Sequence, residues 1–192
     1  MKIGIFVYDN AEVLDFAGPF EVFSTAKRLA GNDWEVLLIA EQQTLVRARG
    51  GFDVQPHFSF DSTPNIDVLI IVGGVHNEEV KKSKVIDWIK NLVPNTNMVA
   101  SVCTGAFLLA KAGVITDHCV TTHWEDIADL RAEFPLLEVK ENVRWVKQGN
   151  IVTSAGISAG IDMSLFLVSE IASMDLALKT AKQMDYDWQK NS

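Results

Sequence analysis

The stretch Val99-Ala100-Ser101-Val102-Cys103-Thr104-Gly105-Ala106-Phe107-Leu108-Leu109-Ala110-Lys111-Ala112-Gly113 changes its period part-way along. Met98 to Val102 is a short apolar run that suits a buried strand. Thr104 to Lys111 is rich in helix formers, and Gly113 lies just beyond its end. Cys103 therefore falls on the joint, and Gly105 gives the backbone room to turn sharply. A thiol held there faces the N–H groups of the first helical turn, whose dipole favours an anion, so the residues predict a stabilised thiolate. This is the logic of a nucleophile elbow with sulfur in place of a serine oxygen. The alternative is a small buried apolar residue, the usual fate of a free cysteine.

The chain has 192 residues, enough for one domain with a proper core, and no repeat, low-complexity run or linker divides 1–192. Hydrophobic residues at 48% and charged ones at 22% are ordinary for a globular protein. The net charge of −8 disfavours a nucleic-acid or anionic-membrane surface. Cys103 and Cys119 make no disulfide framework, and a working thiol suits a reducing compartment. The apolar N-terminal run Lys2–Tyr8 is too short for a signal peptide core, and no run approaches the ~20 residues of a membrane span. A soluble, cytoplasmic protein is expected.

Lys2–Tyr8 reads as a buried strand. Residues 11–30 are helical, with Phe16, Phe20 and Phe23 on one face. Gly18-Pro19 implies either a turn before a helix opening at Pro19 or one helix kinked there. Trp34–Ala40 is a second strand, Thr44–Phe60 an irregular or hairpin segment turning at Gly50-Gly51, and Asp67–Val72 a clean buried strand closed by Gly73-Gly74. Glu78–Leu92 is helical and ends at Pro94-Asn95. After the elbow come a strand at Cys119–Thr122, a helix at Trp124–Glu133, and a hairpin of Val143–Lys147 and Asn150–Ser154. Helices at Ser158–Ser173 and Leu176–Trp188 close the chain. Alternating strands and helices, with strands apolar on both faces, predict an α/β fold: a mostly parallel sheet with helices on both sides. Loops that follow the strands then share one edge, where ligands bind.

Asp15, in Val13-Leu14-Asp15-Phe16-Ala17, is either a helix cap or a buried functional carboxyl. Beside a thiolate its pKa would rise, leaving it protonated and ready as a general acid. Gly73-Gly74 is either a plain turn or, with Val75, Cys103 and Thr104, a set of N–H groups lining a pocket for developing negative charge. It is no dinucleotide fingerprint, because Gly73-Gly74-Val75-His76-Asn77-Glu78 lacks the further glycines. His123, at the end of Thr121-Thr122-His123, activates a nucleophile, binds ligand, caps a helix or packs beside Trp124. His57, His76 and His118 have no metal-ligand spacing with each other or with Cys119, so no metal site is expected. Cys119 reads as core, Gly156 to Gly160 as close helix–sheet packing, and Asp162 as internally hydrogen-bonded.

The elbow Ser101-Val102-Cys103-Thr104-Gly105-Ala106, the pair Gly73-Gly74, Leu14-Asp15-Phe16-Ala17-Gly18-Pro19, Thr121-Thr122-His123-Trp124 and the run from Thr153 to Asp162 occur in this order in the ThiJ/PfpI superfamily. The chain resembles that glutamine-amidotransferase-like superfamily over nearly its whole length. Its nearest groups there are isonitrile hydratases and the sensor domains of AraC-type regulators. The resemblance implies a flavodoxin-like three-layer sandwich, a homodimer, no cofactor, and catalysis by Cys103 with Asp15, which matches the hydratases' aspartate where many relatives carry glutamate. The chain departs from the protease-like branch, which has histidine where Thr104 stands, and from the glycine the hydratases commonly have where His76 stands.

On this reading Cys103 attacks the terminal carbon of an isonitrile, Asp15 supplies the proton and then activates water, and N–H groups near Gly74 and Thr104 steady the intermediate. The partner is a small electrophile. The alternatives are a non-catalytic ligand or redox sensor, and glyoxalase- or deglycase-like chemistry on α-oxoaldehydes using Cys103 with His123.

Overall fold

A computed structural model describes residues 1–191. The chain opens with β1 (Lys2–Phe6), α1 (Val13–Ala30) and β2 (Glu35–Ala40). Three two-residue strands follow, β3 (Val46–Arg47), β4 (Asp53–Val54) and β5 (Phe58–Ser59), then β6 (Val68–Ile71), α2 (Ser83–Leu92), β7 (Met98–Val102) and α3 (Gly105–Lys111). The last part comprises β8 (Cys119–Val120), α4 (Ile127–Glu133), β9 (Glu138–Val139), β10 (Trp145–Gln148), β11 (Ile151–Ser154), α5 (Ala159–Ile171) and α6 (Met174–Gln183).

Seven strands form the main sheet in the order β10-β11-β7-β6-β1-β2-β5. Every neighbouring pair is parallel except β10–β11, which is an antiparallel hairpin. A sheet of this kind needs helices over both faces, and its central strands must then be apolar throughout. They are: Ile3, Ile5, Leu69, Ile70, Ile71, Val99 and Ala100 have no exposed surface. α1, α5 and α6 pack on one another over one face, and α2 and α3 over the other.

The two directions of winding part at β1 and β6, which lie side by side in register, Gly4 beside Leu69 and Phe6 beside Ile71. The loops leaving their C-terminal ends diverge to opposite faces and open a crevice, the place where sheets of this class bind ligands. A single bridge between Ala11 and Gly74 ties the two loops together. This topology puts the segments after β1, β6, β7 and β11 on one edge.

Some elements differ from the expected ones. Pro19 lies inside α1, which runs unbroken for 18 residues, because surrounding helices bury that turn and override the local penalty. Thr44–Phe60 splits into the β3–β4 hairpin and an edge strand, β5, that joins the main sheet. The helical stretch expected from Glu78 begins as a short 3-10 turn, Glu79–Lys81, before α2. The final helix stops at Gln183 rather than Trp188. The segment after it is held by side chains instead: the Trp188 indole N–H donates to the Asp162 carbonyl at 3.1 Å and the Gln189 N–H to the Asp162 carboxylate at 2.9 Å. No helix among the described residues is long and apolar enough to cross a membrane.

Candidate active site

Cys103 sits where β7 ends and α3 begins, with φ at 54°, in the left-handed region that residues with a side chain rarely occupy. Three bonds hold it there. Its N–H donates to the Ser154 carbonyl at 3.2 Å, its carbonyl accepts the Thr122 hydroxyl at 2.8 Å, and the Thr104 N–H points at its sulfur. Gly105 makes the turn possible: a Cβ there would lie 2.1 Å from the Ile71 carbonyl oxygen. A strained, over-determined residue of this sort marks a functional position more often than a structural one.

Asp15, in the first turn of α1, is fully buried beneath the thiol. One carboxylate oxygen accepts the Gly73 N–H at 3.0 Å and the other the Ile157 N–H at 3.2 Å, and the Cys103 thiol lies close enough to act on the same group. Ile157 presents its N–H from a second left-handed backbone, φ 56°, which is costlier still for a β-branched residue. Two strained residues from different loops thus converge on one carboxyl. Asp15 does not cap a helix.

Burial pushes the Asp15 pKa up to about 7, against the pull of its two backbone donors. Burial, and then the Asp15 charge, also push the Cys103 thiol well above its usual range. The stabilised thiolate expected from the helix dipole is therefore corrected. Desolvation and a neighbouring acid outweigh the influence of Thr104, at the mouth of α3, so the thiol pKa is raised and not lowered.

The loop after β6 lines part of the cavity, but its first N–H groups support this pair instead of pointing into the open space. Besides the Gly73 bond to Asp15, the Gly74 N–H donates to the Thr104 hydroxyl at 3.0 Å, and that hydroxyl donates back to the Gly74 carbonyl at 3.1 Å. The Val75 N–H goes to the Asn10 carbonyl at 3.1 Å. The expected charge-stabilising role of Gly73, Gly74 and Val75 is corrected accordingly: their N–H groups hold Asp15, Thr104 and the loop after β1. Thr104 clamps the two loops.

On the open side, His123 brings a ring nitrogen within 4.8 Å of both the Cys103 sulfur and an Asp126 carboxylate oxygen, and its Nδ1 lies 3.4 Å from Asp126 Oδ2. Gly156 leaves space for the ring, since a Cβ there would fall 2.1 Å from His123 Cδ2. His123, Cys103 and Asp126 together have the donor types of a metal site. The sequence spacing pointed to none, because it compared His57, His76 and His118 with each other and with Cys119, and took in neither His123 nor Cys103.

Residues 1–170 match the DJ-1/PfpI family. The chain belongs to that family. It is 30% identical over 187 residues to an isonitrile hydratase from Pseudomonas putida, an alignment covering 97% of this chain and 78% of that protein. It is 26% identical over 193 residues to the HTH-type transcriptional regulator GbdR from Pseudomonas aeruginosa, and there the alignment covers 99% of this chain but only 52% of the regulator. A ThiJ/PfpI family protein from Pseudomonas syringae superposes with a TM-score of 0.87 at 24% identity, over 98% of this chain and 76% of that one.

In this DJ-1/PfpI chain the cavity over Cys103 has a volume of about 920 Å³, room for a small molecule. His76 stands in its wall with its ring on Phe107, centroids 4.5 Å apart, and burial lowers its pKa against the pull of Asp126, Glu133 and Asp129. Cys119 lies outside the cavity, at the start of β8, and it is half-buried instead of core. Sequence reasoning missed Ile157, read as packing, and Asp126, Asp129 and Glu133, read only as part of the helix at Trp124–Glu133. The last three do carry a signal in their i, i+3, i+7 spacing directly after His123.

Proposed function

We propose that Cys103 adds covalently to a small electrophile and that water then releases the product, with an isonitrile as the substrate class and an N-substituted formamide as the product. What supports this most is the Cys103–Asp15 pair: a protonated sulfur in hydrogen-bond reach of a buried carboxyl that titrates near neutrality. A thiol with a raised pKa needs a base as it attacks, and a carboxyl at about 7 can accept that proton and give it up again.

The steps balance without a cofactor. Sulfur bonds to the terminal isonitrile carbon as its proton passes to Asp15, and Asp15 returns the proton to that carbon, leaving a thioimidate, R–N=CH–S–Cys103. Water, deprotonated by Asp15 or His123, adds to the same carbon. The C–S bond then breaks, the nitrogen and the sulfur each take up a proton, and R–NH–CHO leaves. The identity to the Pseudomonas putida hydratase supports the substrate class.

A second reading is favoured by the regulator match, which spans nearly all of this chain and half of the regulator. On that reading the same cavity binds a ligand without turning it over. Mass detection of formamide from an isonitrile panel separates the two. Turnover by wild type that is lost in Cys103→Ser supports catalysis, and ligand binding by wild type without turnover supports a sensor. Methylglyoxal consumption that disappears in His123→Ala would select the α-oxoaldehyde alternative, which the nearness of His123 to the thiol supports.

A further inference from the structure

The wall facing Cys103 is acidic. Glu12, Glu125, Asp126, Asp129 and Glu133 line the cavity, against a single guanidinium, Arg49. That one cation is spent: Arg49 Nη1 lies 3.1 Å from Glu12 Oε2. Among the described residues, Glu125 and Asp126 lie beside His123, His76 also stands near Asp126, and none of Glu125, Asp126, Asp129 and Glu133 has a lysine or arginine partner within 4.0 Å. The uncompensated charge comes from one helical face, with Asp126, Asp129 and Glu133 directed into the same space.

Arranging these groups so works against α4 itself. Asp129 and Glu133 are like charges at i, i+4, and Glu133 adds a negative charge to the last turn, where the helix dipole is already negative. Folding alone offers no reason to aim such a face at a concave site that also holds a nucleophile. The mouth adds a second, independent feature. The Trp124 indole is 75% exposed although it is among the largest apolar side chains in the chain, and Phe107 forms part of the floor. An aromatic face beside unpaired carboxylates is the pairing that attracts an organic cation.

We propose that the Cys103 cavity selects molecules whose substituent is positively charged, an ammonium or quaternary ammonium group seated between Trp124 and the acidic face of α4, with the reactive end directed at the thiol. This rests on Cys103 being the working end of the site, and it narrows the substrate class of that reading. The carboxylates set the sign of the charge. The indole favours a soft, weakly hydrated cation over a small ion. An anionic molecule meets several carboxylates and no free guanidinium, so it is turned away.

Two measurements on the full chain test this. In the first, Cys103 is labelled with trimethylammonioethyl or sulfonatoethyl methanethiosulfonate, and rates are read by mass spectrometry and normalised to those for mercaptoethanol. In each reaction the sulfur displaces methanesulfinate and forms a disulfide with the charged thiol. The cationic reagent is expected to react about 10-fold faster or more, the ratio shrinking with added salt and in Asp129→Asn/Glu133→Gln. In the second, benzyltrimethylammonium and benzenesulfonate are titrated calorimetrically into wild type, Cys103→Ser and Trp124→Ala. The cation is expected to bind the first two, weaken several-fold on Trp124→Ala, and outcompete the sulfonate throughout. Equal normalised rates together with equal binding overturn the inference and leave the catalytic reading intact. Selective cation binding with an unreactive Cys103 upholds the inference and removes the catalytic reading.

Discussion

Between pH 4 and 7 the unfolded chain gives up the Asp15 proton while the folded chain keeps it, because ionising the carboxyl in its buried site is unfavourable. The folded state therefore binds more protons across that interval, and stability falls as pH rises through it, levelling off above the folded pKa of about 7. The whole effect is on the order of 4 kcal/mol, from a pKa raised from 3.8 to about 7. Asp15→Asn removes the titration. Denaturant melts at a series of pH values are expected to show a flatter dependence between pH 4 and 7 in the variant than in wild type, and an unchanged slope would mean that Asp15 is not the group. The same substitution bears on the thiol. Taking away the neighbouring charge lowers the Cys103 pKa, so at pH 8 iodoacetamide is expected to label Asp15→Asn faster than wild type. In wild type the labelling rate should keep climbing past pH 9, without the plateau near neutrality that a helix-stabilised thiolate would give.

At the scale of elements, the β7–α3 elbow was legible in the sequence because three local signals coincide: an apolar run of strand length, a helix-forming run, and a glycine just after Cys103, where the fold brings the end of β6 against the backbone. Gly105→Ala tests the last of these. Its methyl would enter between the Ile71 and Val72 carbonyls, both backbone, so neither can rotate away. Urea melts are expected to show a loss of about 3 kcal/mol, with slower labelling of Cys103 as the turn opens. Other features were not legible for physical reasons. β3, β4 and β5 are two residues each, too short to carry a period: β3 and β4 are held by pairing with each other and by Asp9, which accepts the Arg47 N–H, and β5 by the edge of the main sheet. The strain at Ile157 leaves no trace in composition, since isoleucine is the last residue expected at positive φ. The acidic face of α4 was in plain view as a spacing. Its meaning needed the fold, because nothing local says that this face looks across a cavity at Cys103 and not into water.

For the whole molecule, the C-terminal segment acts as a clasp on the same edge that carries the site. Asp162 is completely buried and holds Arg144, whose Nε lies 2.7 Å from Oδ2, together with the Gln189 N–H. Arg144 also donates to the Ser158 hydroxyl at 3.2 Å, and Asn191 accepts the Arg144 N–H at 3.1 Å. Ser158 directly follows Ile157, whose N–H binds Asp15, so the clasp and the Cys103–Asp15 pair meet in one loop. Arg144→Met keeps the aliphatic stem but leaves the Asp162 carboxylate buried with only the donors of the tail. Removing one partner of a buried pair costs about 3–5 kcal/mol, and the lower end applies here because the Arg144 side chain keeps 34% of its surface in water. Arg144→Met/Asp162→Leu removes both charges and is expected to recover most of that loss, although the Gln189 N–H then lacks its acceptor. Denaturant midpoints of the two variants against wild type decide the matter. A double variant no more stable than Arg144→Met would show that the loss comes from the missing Arg144 hydrogen bonds, and not from the charge left behind.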